Sequence, residues 1–252
     1  MVGIIDRRSW TVLLAILIVL SWVALWLWGQ TASAQYLDHA TVGHLLEGHV
    51  GGRAVVLFSA AWTLMVVAMM LPTTLPLVNL FQGMVGDRPY APRLMLLLVA
   101  GYLTIWGAFG LVAHFSVGSL QWVMQQFQVS FSGYKMALLG IAGVYQFTPL
   151  KYHCLTKCRS PLSFILGRWH GANERLESFR IGFDHGVYCI GCCWSLMLLM
   201  FLFGGASILW MIALGTVMAV EKNVSWGRSL SKPLGIALLI AVPLVRWLPT
   251  SW

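Results

Sequence analysis

Five cysteines are the residues of this 252-residue chain best equipped for chemistry, and all of them flank one segment. Cys154 and Cys158 stand four apart in Lys151-Tyr-His-Cys-Leu-Thr-Lys-Cys-Arg159. Cys189, Cys192 and Cys193 fall within five residues in Tyr188-Cys-Ile-Gly-Cys-Cys-Trp194. An i, i+4 pair shares one face of a helix. At about 100° per residue, His185, Cys189 and Cys192 lie within an arc of about 60°, with Cys193 about 40° beyond it. Two helix ends thus offer four or five thiols, with His153 and His185 as auxiliary imidazoles. Thiolates select Cu(I), Zn(II) or iron–sulfur clusters. The spacing is not that of a standard zinc knuckle, so the metal stays open at this point. A single cysteine in an apolar chain is usually a small hydrophobe; this grouping, with none elsewhere, reads as a metal site.

Methionines extend the soft-ligand pattern. Met65 and Met69 share a helix face, Met70 precedes Leu71-Pro72, and Met200 continues the Cys189–Cys192 face. Met211 and Met218 are seven apart. Thioethers bind Cu(I) and hardly bind Zn(II), so a path through Met65, Met69, Met70 and Met200 would suit Cu(I). Met also fills gaps between packed helices, and that reading covers most of the 12 methionines. Glu221, in Glu221-Lys222, reads either as a group supporting the metal ligands or as an interfacial charge. His39, His44 and His49 are spaced too far round a helix to share a face and read as a solvated loop or an interfacial helix.

These residues need elements to hold them, and composition says which. The chain is 59% hydrophobic and 10% charged, against about 25% charged in a soluble domain. Such a chain covers a lipid-facing surface. Stretches of about 20 apolar residues cross a bilayer. They predict an all-α, polytopic transmembrane bundle forming one integral membrane domain over 1–252. About seven spans are expected, at 10–28, 55–80, 94–115, 131–150, 187–203, 206–220 and 233–248, with six possible because the last is short. Pro72 and Pro76 break the second, as in helices that line transport sites. The loop 151–184 is expected to be cytoplasmic, with a helix over Pro161 to Phe179 lying on the membrane surface.

Orientation follows from the basic residues. With a cytoplasmic N-terminus, 13 of the 16 Lys and Arg fall in cytoplasmic segments; only Arg53, Lys135 and Arg246 fall at outer ends. The net charge of +8 therefore reports basic loops and not a nucleic-acid partner. A cytoplasmic placement of the thiols argues against structural disulfides.

Several motifs, in order, resemble a known family. They are Met69-Met70-Leu71-Pro72, Tyr145-Gln146-Phe147-Thr148-Pro149-Leu150-Lys151, Cys154, Cys158-Arg159-Ser160-Pro161, Tyr188-Cys189-Ile190-Gly191-Cys192-Cys193-Trp194-Ser195-Leu196-Met197, Trp210-Met211 and Glu221-Lys222. The chain from Trp62 to Lys222 is similar to the bacterial domain-of-unknown-function 2182 family of predicted metal-binding integral membrane proteins. The resemblance implies a multi-helix fold in a bacterial inner membrane and possible metal binding, with no established reaction. The leading expectation is a protein that binds Cu(I), with Zn(II) as the alternative, for transport or for delivery to a metalloenzyme. Its partners would be the lipid bilayer and a metallochaperone or membrane complex. A thiol–disulfide membrane oxidoreductase and a non-catalytic subunit or assembly factor of a membrane complex are the competing readings. No P-loop motif is present, and an enzymatic activity is the least supported option.

Overall fold

A computed structural model describes residues 7–31, 52–126, 131–200 and 207–245. The histidines at 39, 44 and 49, the Gly204-Gly205 junction and Arg246 lie outside these. Among the described residues every regular element is helical. The helices are α1 (Arg7–Gly29), α2 (Gly52–Met69), α3 (Leu71–Val85), α4 (Ala91–Gln126), α5 (Phe131–Tyr145), α6 (Pro149–Cys158), α7 (Pro161–Leu166), α8 (Glu174–Leu198), α9 (Ile208–Asn223) and α10 (Ser231–Leu244). A 3-10 turn over Gly227–Leu230 leads into α10.

Among the described residues four segments are long and apolar enough to cross a membrane: Trp10–Gly29, Ala91–Ser116, Glu174–Leu198 and Gly227–Leu244. The pair α2–α3, bent by 64°, would make a fifth. α5 and α9 have only 15 and 16 residues, so of the seven expected spans length and composition mark four, and a broken fifth, among the described residues. α1 carries its apolar side chains outward. Val12, Ile16, Val19, Leu20 and Trp26 are all about half exposed, a face compatible with contact to lipid.

Proline sets the bend. Pro72 has no amide hydrogen to donate and sits in the first turn of α3, so the α2 ladder ends at Met70. The Met70 amide still bonds the Val66 carbonyl at 2.8 Å, closing α2. The Met70 carbonyl accepts from the Thr73 amide at 3.1 Å, from Thr73 Oγ1 at 2.7 Å and from Tyr102 OH at 3.5 Å. Broken backbone in an apolar bundle needs such partners.

The most extensive helix pair is α4 against α8. Glycine permits it. A Cβ on Gly182 would run into the Leu98 carbonyl, and one on Gly101 into the Phe179 carbonyl. Small residues at a helix crossing let backbones approach, the common device of membrane bundles. Trp62 fills the space over Gly110 and donates its Nε1–H to the Trp106 carbonyl at 2.9 Å.

The segment 151–184 departs from its expected form. The surface helix over Pro161 to Phe179 is instead the six-residue α7, with Phe164 and Ile165 buried, and α8 begins at Glu174. Asn173 caps α8 by accepting from the Leu176 amide at 3.3 Å. The first half of α8 is amphipathic: Ser178, Ile181, Gly182 and His185 face inward, while Arg175 and Arg180 face out. That mixture lowers the mean hydropathy of a segment that packs as a full helix. Arg168 crosses from the α7 end to Asp184, 2.7 Å away, and Arg88 pairs with Glu174.

Candidate metal centre

The thiols are positioned from two sides of α8. At Thr148-Pro149 the chain leaves α5 and restarts as α6: Thr148 accepts from the Lys151 amide and Pro149 occupies the first turn. α6 then runs along α8. Gly191 lets it come close, because a Cβ there would meet Cys154 Sγ. Tyr145 OH donates to the Gly191 carbonyl, and its ring packs edge-on against Trp194.

All five cysteines are free, and all but Cys158 are buried. They divide into two groups. Cys192 points toward α6, with its Sγ 3.9 Å from Cys158 Sγ. Cys154 is the third member of this side, as its contact with Gly191 shows. Burial pushes the Cys154 thiol above the ordinary thiol range, and the nearby Cys192 adds to this. Cys189 and Cys193 point the other way, toward the α2–α3 bend. Cys193 Sγ lies 3.8 Å from Met70 Sδ and donates to the Cys189 carbonyl at 2.7 Å. Tyr102 OH, from α4, is 3.1 Å from Cys189 Sγ.

At the centre of this second group sits an ammonium. Lys222, from the end of α9, is buried with its Nζ 2.9 Å from Cys189 Sγ, 3.8 Å from Cys193 Sγ and 3.8 Å from Met70 Sδ. Thr73 Oγ1 accepts from it at 3.3 Å. Next to it Glu221 turns away. Its carboxylate pairs with the fully buried Lys151 at 2.8 and 2.9 Å and accepts from Ser231 Oγ at 2.6 Å. Lys151 also donates to Gln146 Oε1. Arg159 holds the same turn of α9 by donating to the carbonyls of Glu221 and Ser225.

The expected ligands are therefore only partly united. Among the described residues no three His, Cys, Asp or Glu side chains form a group able to hold a metal. What does converge is two thiols and a thioether. His185 is buried between Tyr102 and Phe164, a turn before Cys189. His153 is exposed and lines an open cleft with Tyr152, Lys157 and Arg228. Met65, Met69, Met70 and Met200 all lie in the same buried cluster as four of the cysteines, together with Met197, Met211 and Met218. Glu221 touches no thiol; its neighbour Lys222 does. The residues missed by sequence reasoning are Lys222 and Tyr102. Lys222 had a signal: it continues by four residues the buried stripe of Met211, Leu214 and Met218.

A family model described as a copper chaperone, PpoB2, matches residues 59–245. The chain belongs to the PpoB2 copper chaperone family. The matched segment runs from within α2 to the end of α10, takes in all five cysteines and encloses the motifs from Trp62 to Lys222. Copper handling thus stands at the level of the family. No curated protein and no solved structure matches the chain.

Proposed function

We propose that the protein is an integral membrane carrier that takes up Cu(I) and passes it to a copper-requiring partner. The observation that carries this reading is the meeting of Cys189, Cys193 and Met70 at the α2–α3 bend. Two thiols and a thioether are a soft donor set with low coordination number, which suits Cu(I) and is poor for Zn(II). The copper chaperone description of the family supports the choice of ion and favours delivery over export. Cu(I) is cargo here. Cys158, half-buried at the end of α6, and Cys192 beside it form the point of entry, and Cys189 and Cys193 one helical turn apart on α8 form the deeper seat. The remaining methionines of the cluster line the core around it.

In this reading the chain crosses a bacterial inner membrane about seven times with its N-terminus in the cytoplasm, α5 and α9 being short crossings. The thiols then lie toward the cytoplasmic ends of their helices, where Cu(I) is the stable oxidation state and disulfides are rare.

The test is elemental analysis of the full-length protein, purified anaerobically in detergent and reconstituted with Cu(I) or Zn(II). About one copper per chain is expected, lost when Cys189 and Cys193 are both changed to Ser. A parent that stays empty after Cu(I) addition would overturn the reading. One observation favours a second reading, thiol–disulfide exchange: the 3.9 Å between Cys158 and Cys192 Sγ is short enough for side-chain rotation to close a bond of about 2.05 Å. Mass-tag labelling that finds all five thiols reduced in growing cells, with and without copper, would remove it.

A further inference from the structure

We propose that the open cleft between α6 and the turn before α10 is a seat for an anionic phosphate ester, separate from the sulfur cluster. It is the cleft that takes in His153, and its volume of about 650 Å³ is within the range of a small-molecule site.

One face of α6 forms its floor. Pro149, Tyr152, His153, Thr156 and Lys157 recur along that face at helical spacing. The thiols of Cys154 and Cys158 lie on the neighbouring face, turned to α8. Arg228 closes the cleft from the other side, with its guanidinium 5.2 Å from the centre of the Tyr152 ring. The turn that carries Arg228 is held by its backbone. Arg159 donates to the Ser225 carbonyl, and Gly227 sits where a Cβ would run into the Val220 carbonyl. Packing thus brings Arg228 to the cleft, and an aromatic face steadies it there.

The cleft is rich in donors and has nothing to receive them. Among the described residues no carboxylate lines it, and no ion pair takes in Lys157 or Arg228. Glu221, the acid nearest to Arg228 in sequence, is paired with Lys151. Tyr152 adds a hydroxyl buried without a partner among the described residues. A buried donor left unpaired is destabilising. An oxyanion would relieve it once the long Arg228 and Lys157 side chains turn to meet the charge. Two cations, a hydroxyl and an imidazole reach the cleft from different elements and different turns. That arrangement suits a tetrahedral oxyanion, and arginine and lysine are its usual partners.

The phosphate could belong to a lipid headgroup or to a soluble ester. Apolar surroundings favour the lipid. Phe147 in the wall, and Leu150 and Trp226 close by in sequence, are exposed. Phe147 also lies against Gly235, so the wall continues onto α10, where Ile236 and Ile240 face outward. In the proposed membrane arrangement the cleft opens at the cytoplasmic surface, where anionic lipids attract basic side chains. The source rests on that reading; the seat itself does not.

The experiment titrates the full-length protein in neutral detergent with dioctanoyl phosphatidylglycerol, dioctanoyl phosphatidylcholine and inorganic phosphate, reading occupancy by native mass spectrometry and the thermal midpoint alongside. Phosphatidylglycerol is expected to bind at least tenfold more tightly than phosphatidylcholine. Lys157→Gln with Arg228→Gln should weaken it by about 10–100-fold, the scale of charge-assisted hydrogen bonds. Tyr152→Phe should weaken it several-fold while the unliganded midpoint stays at or above the parent's; a merely structural hydroxyl would lower the midpoint and spare the affinity. Binding of phosphatidylglycerol without inorganic phosphate names the lipid as source, and competition by inorganic phosphate names a soluble ester; either supports the seat. Equal affinity for the two lipids with no phosphate bound, or full phosphatidylglycerol binding by the double variant, overturns it. Should the double variant fail to fold, the exposed Lys157→Gln decides alone, with a loss of about tenfold supporting the seat and an unchanged affinity overturning it. Cu(I) loading of the same parent is read separately. A parent that loads Cu(I) and binds no phosphate ester overturns this inference alone.

Discussion

Single residues carry the strongest energetics in this molecule, and the pair Lys151–Glu221 is the clearest case. Both side chains are essentially inaccessible, at 0% and 2% exposure. Removing one partner leaves an unpaired buried charge, which costs about 3–5 kcal/mol. Lys151→Met should therefore lower the thermal midpoint in detergent sharply, and Lys151→Met with Glu221→Leu should recover much of the loss. A single variant as stable as the parent would show that the pair contributes little. The cysteines were legible at this scale because five thiols confined to two short stretches have few bland explanations. Lys222 was not. A Glu-Lys dipeptide at the end of an apolar stretch has the composition of a membrane interface, and only tertiary packing reveals that its two charges point into different buried pockets. The division of the thiols into two groups was also hidden. Residues at 189, 192 and 193 span about 100° of helix when Cys193 is included, wide enough to face two neighbours.

At the scale of elements, the packing of α4 on α8 rests on the absence of side chains. Gly182→Ala would drive a methyl group into the Leu98 backbone, and Gly101→Ala into that of Phe179. Each should cost about 1–3 kcal/mol and loosen Tyr102 from Cys189, because α4 carries one and α8 the other. Gly107→Ala on the same α4 meets nothing within 4 Å and should be neutral or slightly stabilising, by up to about 1 kcal/mol. Thermal unfolding of the three variants side by side checks this; equal behaviour would mean the close approach is not what holds the pair. The sequence made the α2–α3 break readable through Pro72, since proline's missing donor ends a helix whatever surrounds it. It concealed the start of α8. Over 174–186 the outward arginines dilute an inward face of small and apolar residues, and average hydropathy reads such a stretch as loop.

For the whole molecule, the apolar skin of α1 and of the exposed faces of α4 and α10 is the feature that supports the proposed place in a membrane. The protein should remain with membranes through an alkaline wash and come out with detergent; release by the wash alone would count against a spanning arrangement. The segment 170–173, exposed and turned by Gly171 at φ +76°, gives a handle on direction. Protease added to inverted vesicles should cut there, and protease added to intact spheroplasts should not. The reverse pattern would turn the proposed orientation over. Helix content and the basic segments were readable from composition, because lipid and membrane insertion act on bulk properties. The number of crossings was not, since α5 and α9 are too short for length to decide.

The Lys222 contact joins residues far apart in the order of synthesis. Met70 is made 152 residues before Lys222, and Cys189 and Cys193 are made 33 and 29 residues before it. At translation rates of about 5–20 residues per second the two cysteines wait roughly 1.5–7 s for the lysine that packs against them. During that interval they are ordinary cysteines without a partner charge, open to whatever oxidant or stray metal the nascent chain meets. α9 is thus the closing piece of the site, and a chain stopped before it, at residue 207, should have Cys189 and Cys193 alkylated by reagents that the finished protein resists.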